Sequence, residues 1–221
     1  MDNQTRCRWV NLNNDIYVKY HDEEWGRPLH DDKKLYELLI LECFQAGLSW
    51  ECILIKRENF RAAFDGFDID KIIAYDENKK QELMNNPGII RNRLKIKAAV
   101  SNSIVFKEIQ KEYGSFANYI WSFTDNKIVY EEFTERTTSP LSDTVSKDLK
   151  KRGMTFVGST IIYSFGYFEN KLEKKSYKRY NKKKNRAGYR WCLRAAECDL
   201  AVINCSMRNE RAGRSTLDGH I

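Results

Sequence analysis

Leu149-Lys150-Lys151-Arg152-Gly153-Met154-Thr155-Phe156-Val157-Gly158-Ser159-Thr160 is the stretch on which the fold turns. Upstream of it, Asp143 can cap a helix over 143–153, with Val145 and Leu149 four apart on one face. Downstream, the apolar segment 159–165 reads as a second helix. Residues 154–157 are a tight connection, with Gly153 and Gly158 at its ends. A helix-hairpin-helix of this kind presents backbone N–H groups at the start of its second helix, where they and the helix dipole favour a phosphate. Lys150, Lys151 and Arg152 place positive charge beside it. An ordinary αα-hairpin fits the pattern equally well.

Working outward, the spacing predicts helices almost everywhere. Asp31 or Asp32 can cap a helix over 33–46, Gly47 interrupts it, and Ser49 can cap the next one. Asp70 and Asp76 open two short helical pieces, and Pro87-Gly88 marks a turn. A long helix follows over 91–113, stopped by Gly114, then a short one over 116–121. Residues 1–30 read as irregular and 125–141 as a loop. Strand-like alternation is nowhere sustained and no solenoid repeat is visible, so the expected class is all-α, built from many short helices.

The formal charge of +7 is unevenly spread. Up to Phe168 there are 24 Lys+Arg against 25 Asp+Glu, and from Glu169 onward 14 against 6. Basic character therefore belongs to the last quarter, where Lys182-Lys183-Lys184 sits in a dense run, and says little about the rest. The expected organisation is a folded domain over 1–168 and a disordered, solvated basic tail over 169–221. The sequence shows no secretory signal and no apolar run long enough to span a bilayer, so a soluble cytoplasmic protein, without membrane contact and monomeric, is expected. The six scattered cysteines fit a reducing compartment.

Three features carry chemistry. Glu42 shares a helical stripe with Leu35, Leu38 and Leu39, where a carboxylate is costly unless paired. It reads either as a glutamate bonded to a neighbouring helix end or as the floor of a pocket for a donor-rich or cationic ligand. Trp9, Tyr17, Tyr20 and Trp50 flank that helix in sequence. Such rings are commonly core, but around one buried carboxylate they suit a flat cationic ring. Cys7 and His21 are candidate metal ligands, though two ligands do not make a structural zinc site.

The motifs then become specific. Cys7-Arg8-Trp9-Val10, Tyr17, Tyr20-His21-Asp22-Glu23-Glu24-Trp25-Gly26, Leu41-Glu42 and Gln45-Ala46-Gly47-Leu48-Ser49-Trp50 occur in order. Lys56-Arg57-Glu58-Asn59, Gly88-Ile89-Ile90-Arg91-Asn92-Arg93, Trp121-Ser122-Phe123, Lys150-Lys151-Arg152-Gly153 and Phe156-Val157-Gly158 follow. Together, over residues 6–165, they resemble the 3-methyladenine DNA glycosylase I family.

The resemblance implies a helix-hairpin-helix DNA glycosylase fold and hydrolysis of the N-glycosidic bond of 3-methyladenine in alkylated double-stranded DNA, releasing the free base. It assigns base recognition and the catalytic role to Glu42, with Trp9, Tyr17, Tyr20 and Trp50 lining the pocket. It places DNA contacts on the hairpin, at Lys151, Arg152, Gly153, Phe156, Gly158 and Thr160. Residues 45–48, with Gly47 and Leu48, are the expected wedge that holds the duplex open. It also makes Cys7 and His21 zinc ligands, joined in the family by a His and a Cys near the C-terminus. Here the chain departs: after Tyr163-Ser164-Phe165 no His-x-x-x-Cys occurs. Zinc is thus implied by the family but left with two of its four ligands. No lysine reads as a Schiff-base nucleophile, so a monofunctional hydrolase is expected. The rival readings are a DNA-binding module disabled by the altered C-terminus, and an all-α scaffold without DNA affinity.

Overall fold

The computed structural model describes residues 6–7, 9–130, 136–166 and 169–170. Its α-helices, in chain order, are α1 (Asp15–Glu23), α2 (Asp32–Gln45), α3 (Trp50–Ile55), α4 (Arg57–Ala63) and, after a 3-10 turn at Asp65–Phe67, α5 (Ile69–Ile73). They continue with α6 (Glu77–Asn85), α7 (Arg93–Tyr113), α8 (Phe116–Ser122), α9 (Pro140–Lys151) and α10 (Ser159–Phe165). The fold is all-α, as the spacing predicts. Among the described residues the helices are accompanied by a two-residue parallel pairing of β1 (Val129–Tyr130) with β2 (Glu169–Asn170), within stretches expected to be a loop and a tail. The remainder of the expected tail, from 171 onward, lies outside the described residues.

A helix that is apolar on every side must be wrapped by others. The second helix is such an element, with Leu38, Leu39, Ile40, Leu41, Glu42, Cys43 and Phe44 buried in succession. The stripe read from the sequence understates this: α2 has no solvent face over that stretch. Helices α3, α7, α8 and α10 pack on it. Phe44, Phe60, Phe64 and Phe67 form a stacked and edge-on aromatic seam beside it, and Phe106 stacks on Phe116 at 4.0 Å.

Side-chain caps set the helix boundaries. Asp31 and Ser49 cap α2 and α3 as expected, accepting from the Lys34 and Cys52 amides. Asp32, the other candidate, instead accepts from Phe116 N and Ala117 N at 2.9 and 2.8 Å, and so caps α8 from a distance in sequence. Residues 1–30 are not wholly irregular, because Asn14 accepts from the Ile16 and Tyr17 amides and starts α1. The long helix begins at Arg93 because Asn92 caps it, and Gly114 ends it in the left-handed region at φ 81°. Asp143 does not cap α9; Ser139 and Ser142 form a reciprocal capping box one turn earlier, with Pro140 in the first turn.

The helix-hairpin-helix is present. Gly153, at φ 106°, closes α9 in a Schellman arrangement: Met154 N donates to Leu149 O and Gly153 N to Lys150 O, both at 3.0 Å. Met154 and Val157 turn inward and are buried. The Ser146 hydroxyl donates to Val157 O at 2.7 Å, and the Ser142 and Ser159 hydroxyls meet at 2.8 Å, which binds α9 to α10. From α7, the fully buried Asn102 grips the hairpin, its carboxamide donating to Thr155 O and accepting from Thr155 N at 2.9 Å each. Replacing Asn102 with Ala should lower the unfolding free energy by roughly 1–3 kcal/mol, the scale for losing two hydrogen bonds made by a buried side chain. Urea denaturation of both proteins measures it.

Candidate functional site

The N-terminal arm is fastened to α3 before any pocket residue is placed. The side chains of Asn11 and Asn14 both donate to one oxygen of Glu51, at 2.9 and 2.8 Å. On α1 the positions 17, 20 and 21 stand three and four apart, which puts Tyr17, Tyr20 and His21 on adjoining faces. Trp9 lies against Tyr17 and His21, at centroid distances of 5.3 Å each, and against Trp25 at 5.2 Å. Tyr20, buried, faces Trp50 at 5.5 Å. The structure thus brings the four expected aromatics together as two adjoining pairs spanned by α1, and adds Trp25, which sequence reading did not assign. Among the described residues the buried indole N–H of Trp50 has no hydrogen-bond partner. A donor so placed costs about 1–3 kcal/mol while it lacks an acceptor.

Glu42 is 3% exposed, on the last full turn of α2 before the chain bends back to Trp50. The bend is residues 45–48. Leu48 N donates to Gln45 O, and the Gln45 side chain donates in turn to Leu48 O, both at 2.6 Å. Ala46 at φ −44°, ψ 112° and Gly47 at φ 81° match a type II turn, whose third residue needs the left-handed region. Gly47 is exposed at the apex, and a Cβ there would meet nothing within 4 Å.

One residue on from Glu42, Cys43 faces the hairpin. Asn102 Nδ2 approaches its sulfur at 3.5 Å, and the sulfur lies 3.9 Å from Thr155 O. Burial pushes the Cys43 thiol up to about 12, and the Glu42 carboxylate adds to the rise, so the group is a neutral structural thiol at physiological pH.

The hairpin's expected DNA-contacting residues divide into two kinds. Lys151 and Thr160 are exposed, and a Cβ at Gly158 would project into open space, with nothing within 4 Å. Phe156 is half-buried in the left-handed region, at φ 57°. Arg152 is paired within the fold. Its guanidinium meets Asp148 at 2.7 Å and Glu112 at 2.5 Å, and lies over the Tyr113 and Tyr119 rings at 5.4 and 5.2 Å. Burial alone would raise the Asp148 carboxyl, but hydrogen bonds from Arg152 and Tyr119 hold it below the usual carboxylate range. The positive charge that sequence reading gave to the phosphate is thus neutralised by two carboxylates, and Lys150 and Lys151 are the exposed cations left beside the hairpin.

Cys7 and His21 do come together. The Cys7 backbone N–H donates to His21 Nε2 at 3.4 Å, while His21 Nδ1 pairs with Asp22 at 2.9 Å and Asp22 pairs with Arg6 at 2.7 Å. A carboxylate behind a histidine is the arrangement that orients metal ligands. Among the described residues, however, no group of three or more His, Cys, Asp or Glu side chains gathers to hold an ion. Two donors do not fit a structural zinc ion, which takes four. Cys192, Cys198, Cys205 and His220 lie outside the described residues.

Residues 9–167 match the profile of the family described as methyladenine glycosylase. The chain is 43% identical over 164 residues to DNA-3-methyladenine glycosylase 1 of Escherichia coli, covering 72% of this chain and 87% of that one. It is 41% identical over 165 residues to DNA-3-methyladenine glycosylase of Haemophilus influenzae, covering 73% and 89%. Among solved structures, a 3-methyladenine DNA glycosylase I superposes with a TM-score of 0.71 at 43% identity, covering 75% of this chain and 94% of that one. The Staphylococcus aureus 3-methyladenine DNA glycosylase I, solved for its recognition of 3-methyladenine, gives 0.70 at 33% identity, with 75% and 92% covered.

Proposed function

The chain belongs to the methyladenine glycosylase family, and from that premise and the site's geometry we infer how it works. It is a DNA-3-methyladenine glycosylase, a monofunctional enzyme that hydrolyses the N-glycosidic bond of the alkylated base in base excision repair. Its substrate is alkylated double-stranded DNA, its product the free base, and it acts as a monomer. Among the described residues no helix is long and apolar enough to cross a membrane.

A base stacked inside a duplex is out of reach, so the nucleotide must be turned out into a pocket. The turn at 45–48 enters the gap, with Leu48 as the apolar wedge and Gly47 letting the backbone approach closely. Methylation at N3 leaves the purine cationic, so the leaving group is activated before the enzyme acts. Selective capture then does most of the work. Glu42 accepts hydrogen bonds from the amine edge of the base and offsets its charge in a setting from which water is excluded. Tyr20 and Trp50, and Trp9 with Tyr17, contribute π-faces to the same base, and the Trp50 N–H is a donor available to the bound nucleotide. The hairpin holds the phosphate backbone through its amides, with Lys151 as counter-charge and Gly158 and Thr160 at the contact.

The observation that carries this reading is a carboxylate 3% exposed in the wholly apolar run of α2, directly before the turn that leads to Trp50. Glu42→Gln keeps the shape and removes the charge. Single-turnover release of 3-methyladenine should fall by about a hundredfold or more, as when a preorganised electrostatic partner is lost. Near-normal release with an unchanged melting temperature would remove Glu42 from the site.

Gly158→Val tests the hairpin separately. Its side chain enters open space, so folding is unaffected, while approach of a phosphate is obstructed. Affinity for methylated duplex should drop by about tenfold, the order of one lost charge-assisted contact. Affinity for free 3-methyladenine, read by calorimetry, should not change. A parallel fall in both would make the hairpin purely structural.

Zinc is the family property that this chain's residues support least. Cys7 and His21 are poised as a pair, but the described residues supply no third or fourth ligand. Metal analysis of purified protein should find well under one zinc per chain. One zinc per chain, lost when Cys7 is mutated together with a cysteine beyond residue 190, would mean that the C-terminal segment rebuilds the site.

A further inference from the structure

One buried cation has no part in the chemistry above. Lys95 is 6% exposed in the first turn of α7, and among the described residues it forms no ion pair. Its ammonium donates instead to two backbone carbonyls, Phe44 O at 2.8 Å and Ala46 O at 2.6 Å, and lies 6.0 Å from the centre of the Phe156 ring. Burial pulls its pKa below the usual lysine range, the nearby Cys43 working the other way. Burying an ammonium without a carboxylate is expensive, and an apolar side chain of the same length would fill the space without that cost. The position of the charge therefore needs a reason.

The two carbonyls lie on either side of Gln45, one in the last turn of α2 and one in the bend that follows. Carbonyls at a helix C-terminus lack intrahelical donors and carry the negative end of the helix dipole, which a cation relieves. With Lys95 in place, four carbonyls of the segment are engaged. Phe44 O and Ala46 O take the ammonium, Gln45 O takes the Leu48 amide, and Leu48 O takes the Gln45 side chain. Gly47 at the apex has no side chain to brace it, so its position is set from below. Asn102, seven residues along α7 and on the same face, holds Thr155 of the hairpin, while the Phe156 ring covers the ammonium. One face of one helix thus fixes both the 45–48 turn and the 153–158 hairpin.

We propose that Lys95 is a positioning residue for base flipping, holding the 45–48 turn at a set height and a set distance from the DNA-binding hairpin. The inference rests on the reading above that this turn enters the duplex. Lys95 does not touch the base. Its loss leaves the pocket intact and makes the flipped state harder to reach.

The test compares two duplexes in single-turnover release of 3-methyladenine, one with the lesion in a matched pair and one with it opposite a mismatched base, where extrusion is easier. Lys95→Met should slow release from the matched duplex by about ten- to a hundredfold, the scale of losing hydrogen bonds from a charged donor. The mismatched duplex should be affected several-fold less, and affinity for free 3-methyladenine should stay unchanged. If the Met variant does not fold, Lys95→Gln, which keeps an amide donor, is used and the same ratio is read. An equal loss on both duplexes, a weakened free-base affinity, or no loss at all overturns the proposal. Leu48→Ala serves as the independent check on the wedge. A matched-duplex defect in that variant alone would refute the role of Lys95 and keep the wedge, whereas no defect in either variant would refute both.

Discussion

Thr155 gives both its N–H and its C=O, members of two successive peptide groups, to the single carboxamide of Asn102. The carboxamide is fully buried, so it cannot turn to water instead. The rest of the arrangement follows from that one exchange. It fixes the hairpin to α7, α7 lies against α2, and α2 carries Glu42 and delivers the chain to the 45–48 turn. A hairpin that met α2 only through apolar contacts would be free to slide along it, because dispersion contacts have little directionality. A carboxamide bonded in both directions has one register.

Charge is arranged around this frame in two ways. Between helices, Arg57 joins Glu24 and Glu37 at 2.8 and 2.6 Å and Arg61 reaches the same Glu37, so one part-buried network ties α4 to α2 and to the end of α1. Charge-assisted bonds of this kind fix the orientation of the helices they join. In the interior, Lys95 is held by carbonyls and Glu42 lies in the apolar run of α2. Charged groups withdrawn from water are costly, and two of them at the end of α2 mark that end as the working part of the molecule.

Much of this could be read in the sequence because it is local. The helix-hairpin-helix shows in two apolar segments and two glycines, and Glu42 shows as an acid among leucines at helical spacing. What could not be read depends on partners far along the chain. Arg152 reads as a DNA cation until the fold brings Glu112, forty residues away, to its guanidinium. Asp32 reads as a cap for its own helix, yet its oxygens serve α8. Lys95 and Asn102 did leave a trace, since they share a stripe with the buried Ala98 and Ala99. Small residues beside a lysine and an asparagine signal close approach to another backbone, but they do not say which. The first helix escaped notice because it is short and its outward face is polar, so that its start depends on the Asn14 cap more than on any apolar period.

Phe156 occupies the left-handed backbone region, which favours glycine or asparagine and costs a bulky residue on the order of 1–3 kcal/mol. Relaxing that strain is an easy route to a more heat-resistant chain, since glycine fits the same backbone without penalty. The route removes the ring that covers the Lys95 ammonium and opens the joint between hairpin and turn to water. A library screened for thermal tolerance alone would therefore drift toward glycine or asparagine at 156, and would need a repair-activity counter-screen to keep the aromatic.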